Sequence, residues 1–235
     1  MLKTIAVMVV GLVLCWGPRA LAGDPCSDDG YPFGITSERT LFILWTGKVR
    51  SGMEVSIKIE FESVKDEVDR VVLILSSCGG DGWGMQKTVE VLRKIKQTHT
   101  LTTVVQRGAT CASACIPIFL QGTVRAAALS SVWMLHQVRT LNLAEAAADT
   151  IAFRIDLAAT EATFFEYFVP AGVSKRWLKR VRQKIKTGNY WQTGQNLWDS
   201  KSGIVTRPLG NLQERDKENR IYLMPGVVCG DFCRG

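Results

Sequence analysis

Ser113 and His136 are the residues whose types and surroundings fit nucleophilic catalysis. The serine stands at the centre of GATCASACIPIFLQG, Gly108 to Gly122, with Gly108, Ala109, Ala112 and Ala114 around it and the apolar run Ile116 to Leu120 behind it. Small neighbours leave room for a substrate to reach the hydroxyl, and a helix starting here would turn its positive end towards an alkoxide or a negative intermediate. A buried helix that merely contains a serine is the plain alternative, since small-residue helix starts are common packing devices. His136 ends a second apolar run, SSVWMLHQV, Ser130 to Val138, where it could serve as general base. The chain's other histidine, His99, ends a polar helical stretch and reads as solvated.

A third stretch, VVLILSSCGGDGWGM from Val71 to Met85, runs from β-branched residues into a glycine pair. It has neither the lysine-serine pair of a phosphate-binding loop nor the G-x-G-x-x-G register, so nucleotide binding has no support there. The resulting order is strand, glycine turn, helix, strand, serine, helix, strand, histidine. With Ser77-Cys78-Gly79-Gly80, Ala112-Ser113-Ala114 and Met134-Leu135-His136-Gln137 in register, the chain resembles the ClpP/crotonase superfamily, specifically the Clp protease proteolytic subunit, over residues 40–206.

The resemblance implies an α/β fold, a single domain of repeated ββα units with a long handle helix. It implies a serine peptidase or related acyl hydrolase that needs neither cofactor nor ATP, with Ser113 as nucleophile, His136 as base and the backbone N–H groups of Gly80 and Ala114 as oxyanion hole. Glycine lets the backbone approach a substrate carbonyl, and two N–H groups aimed at one point stabilise a developing oxyanion. The third triad position falls on Asn189, just before Tyr190-Trp191-Gln192-Thr193, where the peptidases carry aspartate; Asp199 is the alternative acid. Asparagine can orient a histidine but brings no full charge to the imidazolium. A weak or inactive binding or assembly module of the same fold is therefore a second reading. A crotonase-like acyl-CoA enzyme is a third, though it would leave the serine and histidine unexplained.

The elements that must position these residues fit one sizeable core: the chain has 235 residues, 46% of them hydrophobic. A net charge of +7 is a mild excess that includes Lys3 and Arg19, and no zinc-finger or RNA-binding signature accompanies it, so nucleic acid is not expected as a partner. Met1 to Ala22 has the basic start, apolar core and small-residue end (Ala20-Leu21-Ala22) of a secretory signal peptide, cleaved near Ala22. Leu14 before Cys15 is too large for a lipoprotein signal. The expected organisation is a signal peptide at 1–22, an N-terminal extension at 23–39, the domain at 40–206 and a cysteine-containing tail at 207–235, in a periplasmic or secreted protein.

Export gives disulfide candidates in Cys26, Cys78, Cys111, Cys115, Cys229 and Cys233. Cys26 could partner Cys229 or Cys233, Cys111 and Cys115 flank Ser113, and Cys78 stands where the family has proline. A metal site is not expected, since the family needs none and histidines are scarce.

Strands are expected over Thr40–Trp45, Asp69–Ser76, Leu101–Val105 and Val132–Leu135, a strand or turn over Thr123–Ala128, and a helix over Met85–Thr98. Gly52–Val68, with Ile57, Ile59 and Phe61 alternating, suggests a strand or helix edge followed by an exposed turn. Asn142–Val169 reads as one long helix in the handle position, through which copies of the chain would meet, with Phe164, Phe165, Tyr167 and Phe168 buried against the domain or a second subunit. Ser174–Lys186 carries seven Lys or Arg residues, with Val173, Trp177, Val181 and Ile185 on one face; it is a solvated face or a peripheral contact with anionic lipid. A final helix spans Gly194–Ser202.

Overall fold

The computed structural model describes Cys26 and residues 33–37, 39–141 and 153–209. The expected signal peptide, Cys229, Cys233 and residues 142–152 of the expected handle helix lie outside the described residues.

In chain order the elements are β1 (Phe33–Ser37), β2 (Thr40–Thr46), α1 (Met53–Val64), β3 (Arg70–Ser76), α2 (Gly82–Thr98), β4 (Thr100–Val105), β5 (Thr110–Ala112) and α3 (Cys115–Phe119). Next come β6 (Val124–Ala128), β7 (Val132–Leu135), β8 (Arg139–Leu141), β9 (Phe153–Ile155) and α4 (Leu157–Thr163), which continues into a π-helical turn, Phe164–Phe168. Last come α5 (Lys175–Lys184), a 3-10 turn (Ile185–Thr187), β10 (Tyr190–Thr193), α6 (Gly194–Asp199) and β11 (Arg207–Leu209).

Six strands form the main sheet in the order β1-β2-β3-β4-β6-β11. The pairs from β2 to β11 are parallel and β1 is antiparallel, so the sheet takes in residues on both sides of the 40–206 span. Val71 to Leu75 are buried without a break, as a central parallel strand covered on both faces requires. Leu73 and Leu75 join the large core under the helices, whereas Val72 and Ile74 pack with Leu44 and Val104 on the opposite face. A second sheet, β10-β7-β5, stands beside this one and carries the chemistry: β5 ends at the residue before Ser113, β7 at the residue before His136.

Two elements differ from the sequence reading, and a third settles its choice between strand and helix edge. The apparent alternation over 57–61 is a helix: Met53, Ile57 and Phe61, four residues apart, are buried, while Ile59 is 63% exposed. The second helix starts at Gly82 because the Asp81 carboxylate caps the N–H groups of Trp83 and Gly84. Residues 142–169 are not one helix. Phe153–Ile155 pairs antiparallel with Arg139–Leu141, and the helix begins only at Leu157, where Asp156 caps the amide of Ala159. Its π turn buries Phe164, Tyr167 and Phe168 and leaves Phe165 76% exposed.

The basic helix α5 forms as expected, but its apolar stripe, Trp177, Leu178, Val181 and Ile185, lies in the main core. Only its cationic side is left for a partner. Nor is His99 merely solvated: its Nε2 lies 2.9 Å from the Lys65 carbonyl and its ring packs edge-on against Phe61, closing the end of α2 onto the end of α1.

Candidate active site

Ser113 sits where β5 turns into α3 with φ of +50°, in the left-handed region. That conformation costs a non-glycine residue roughly 1–2 kcal/mol, so the surroundings must hold it. They do so through the backbone: the Ser113 amide donates to Met134 O at 2.8 Å, Ala112 N–H to Ser77 O at 3.0 Å, and Ser77 N–H to Thr110 O at 2.7 Å. The serine turn is thereby joined to the glycine turn and to the strand that leads to His136. A disulfide, Cys111–Cys115, spans the serine with its Cα atoms 5.3 Å apart.

The glycine turn is shaped to its neighbours. A Cβ on Gly79, at φ +93°, would lie 2.6 Å from Ser113 Cβ and 2.7 Å from Ala112 O; one on Gly80, at φ +147°, would lie 2.2 Å from Val49 O. Val49 holds the turn from the other side, donating to Gly79 O and accepting from Asp81 N–H, each at 2.8 Å. The buried Ser77 hydroxyl accepts from Gly79 N–H at 3.2 Å. Among the described residues, neither Gly80 N–H nor Ala114 N–H has an acceptor. Both residues line a cavity of about 640 Å³ together with Ser113 and His136.

His136 is half-buried on the cavity wall, and its Nδ1 lies within hydrogen-bonding distance of Gln137 O. A carbonyl only accepts, so Nδ1 is the nitrogen that carries a proton, and in the neutral imidazole this leaves the Nε2 lone pair available. Among the described residues the Ser113 hydroxyl makes no hydrogen bond. The rest of the cavity is largely apolar, with Trp83, Ile116, Leu135, Phe164 and Phe168 in its wall and Arg139 and Glu166 among its charged groups. Sequence reasoning placed the aromatic cluster in a core or interface and missed that it also walls the cavity. It also missed Asp81, although an aspartate directly before a helix and after a glycine pair is a capping signal.

Both candidates for the third member lie apart from the ring's hydrogen bonds. Asn189 precedes the pairing Tyr190↔Leu135, so the antiparallel register carries it alongside His136, yet its side chain is exposed and, among the described residues, makes no hydrogen bond. Asp199 is exposed on α6, where both carboxylate oxygens accept from Gln195 Nε2 at 2.8 Å. Cys78 lines the cavity beside the glycine turn. Burial first, and then a hydrogen bond with Cys26, pushes its thiol up to about 12. The structure thus brings Cys26 to Cys78; neither is in a disulfide here. Among the described residues no cluster of His, Cys, Asp and Glu could hold a metal ion.

No sequence-family model matches the chain, and no curated protein matches it in sequence. Solved structures do match. A ClpP1 mutant from Listeria monocytogenes superposes with a TM-score of 0.53 at 17% identity, covering 74% of this chain and 92% of the other. An enoyl-CoA hydratase from Shewanella pealeana gives 0.56 at 11% identity, covering 82% and 72%. A mutant of the 1510-N membrane-bound stomatin-specific protease gives 0.50 at 16% identity, covering 74% and 79%. The chain has the ClpP/crotonase fold. Within this fold, the serine, the histidine and the glycine turn lie on one cavity although the sequence separates them by dozens of residues.

Proposed function

We propose that the chain is an exported serine peptidase or related acyl hydrolase acting through Ser113 and His136. The observation that carries this reading is the convergence on one cavity of a half-buried serine hydroxyl, a histidine with its Nε2 lone pair available and two N–H groups without acceptors, those of Gly80 and Ala114. In the proposed reaction Ser113 Oγ attacks the substrate carbonyl while His136 Nε2 takes its proton. The oxyanion accepts from Gly80 and Ala114, each such donor being worth about 3 kcal/mol in the transition state. His136 returns the proton to the leaving group, and water then releases the acyl group by the same steps in reverse order of roles.

The Gln137 carbonyl supports the required tautomer but brings no formal charge to the imidazolium, which favours a slow enzyme. The same observation favours the second reading, a catalytically weak binding module of the same fold. Location in an oxidising compartment is supported by the Cys111–Cys115 disulfide. Self-association is supported by Ile155, Leu157 and Phe165, large apolar side chains exposed on β9 and the helix after it. Contact with anionic lipid through 174–186 would be electrostatic alone, since the apolar stripe is in the core.

Fluorophosphonate labelling tests the reading. The expected result is one adduct at Ser113, lost in Ser113→Ala together with hydrolysis of unstructured peptides and simple esters. Equal turnover by wild type and Ser113→Ala would overturn it.

A further inference from the structure

We propose that Cys111 and Cys115 are positioning residues: their disulfide clamps the Ser113 turn in its reactive conformation, so that the thiol–disulfide state of this pair switches the nucleophile. The inference rests on the hydrolase reading for its consequence and on backbone geometry for its cause. The bond joins the residues two before and two after the serine, the last stretch of β5 to the first residue of α3. Both elements are short, three and five residues, and neither has the length to hold its own end firmly. Between them Ser113 must keep a φ of +50°, which an L-residue leaves when released.

Cys111 is also where the parts of the site meet. It bridges to Ser77, next to the glycine turn, and it stands opposite Trp133 in the strand leading to His136. Fixing Cys115 to Cys111 therefore fixes Ala114 N–H relative to Gly80 N–H as well as the serine. A disulfide closing so short a loop removes little entropy from the unfolded chain, so its main effect is local rather than on global stability. Both sulfurs belong to residues almost wholly buried, 0% and 1% exposed, so the bond once made is shielded from external thiols.

Formation of the clamp is a two-electron oxidation. The two thiols lose two protons and two electrons and form one S–S bond; a protein disulfide of a thiol–disulfide oxidoreductase accepts the electrons and becomes a dithiol. A chain synthesised in a reducing compartment is thus held inactive, and it gains a competent serine where oxidants of that class act.

The test uses the full chain in three forms: oxidised wild type, Cys111→Ala/Cys115→Ala, and wild type folded under reductant from the start, in which the shielded bond never forms and side-chain volume is kept. Two quantities are read, hydrogen exchange of the segment containing the Ser113 amide and the second-order rate of fluorophosphonate labelling. The expected result is at least tenfold faster exchange and at least tenfold slower labelling in both unbridged forms, kcat falling with KM within about twofold, and recovery of both on reoxidation of the reduced wild type. Unchanged exchange and labelling in the reduced wild type overturns the clamp even if the double variant fails to fold. Faster exchange with no labelling of any form upholds the clamp and refutes the hydrolase reading instead.

Discussion

The Ser113 amide donates to the Met134 carbonyl at 2.8 Å, two residues before His136. This bond ties the serine turn directly to the strand that leads to the histidine, so a rigid-body shift of either would carry the other. The price of that geometry falls on Ser113, because a residue with a Cβ at φ +50° is strained.

Ser113→Gly is therefore expected to be more stable than Ser113→Ala by about 1 kcal/mol, a melting-temperature difference of roughly 2–4 °C, while both are inactive. Calorimetry of the two variants beside the wild type checks it. Equal melting temperatures would mean that the turn carries no strain at this residue.

Gly79→Ala is expected to impair both stability and activity. Its Cβ would press on Ser113 Cβ at 2.6 Å and on Ala112 O at 2.7 Å, and the backbone there is left-handed as well. Overpacking of this kind costs about 1–3 kcal/mol, and relief by backbone movement would displace Ser113. Gly82→Ala is the control, since nothing lies within 4 Å of its added Cβ. A Gly79→Ala protein with wild-type turnover would contradict the contact between the two turns.

Much of this arrangement was legible in the sequence because it is carried by small residues at fixed places. Val71 to Leu75 announced a strand buried on both faces, and Gly79-Gly80 and Ala112-Ser113-Ala114 announced turns where backbone must come close. What escaped was decided by tertiary pairing. The polar-apolar mix of 153–163 suits a helix, yet Phe153–Ile155 finds strand partners in Arg139–Leu141, and Asp156 caps a helix that starts only at Leu157. Arg125 gave no signal at all, but it is buried and donates to the carbonyls of Ile204, Gly203 and Ala171 at 2.8–2.9 Å, holding the approach to β11 against β6. The partner of the His136 ring was the least legible feature of the candidate site, since a backbone carbonyl, which every residue has, lies on its Nδ1 side.

Cys78 makes stability depend on alkaline pH when it and Cys26 are thiols. Burial, with Cys26 beside it, lifts the folded-state thiol from an ordinary value of 9.0 to about 12. Between these values the unfolded chain gives up this proton and the folded chain keeps it, so folding loses stability as pH rises from about 9 towards 12 and has the full contribution below 9. Unfolding midpoints in denaturant should fall more steeply over that window in the wild type than in Cys78→Ala. Parallel curves would show that Cys78 has no elevated pKa. Oxidation of Cys26 with Cys78 would abolish the difference, and intact mass would report it as a loss of two hydrogens.

Asn189 carries the last prediction. The register of β10 on β7 brings its backbone beside His136, which is what the motif Tyr190-Trp191-Gln192-Thr193 implies, but its side chain is exposed while the Gln137 carbonyl faces the ring's Nδ1. An amide that makes no hydrogen bond cannot fix a tautomer, so Asn189→Ala should leave kcat/KM within about threefold of wild type, a difference of less than roughly 0.7 kcal/mol. Asn189→Asp should change it as little, because a carboxylate in water acts weakly on a neighbour and is screened by salt. Asp199→Asn should also be near neutral, since Asp199 is engaged by Gln195 at 2.8 Å. His136→Ala should abolish turnover. If Asn189→Ala instead loses tenfold or more, or Asn189→Asp gains as much at low ionic strength, the asparagine reaches the ring in the working enzyme and the Gln137 carbonyl is not what orients it.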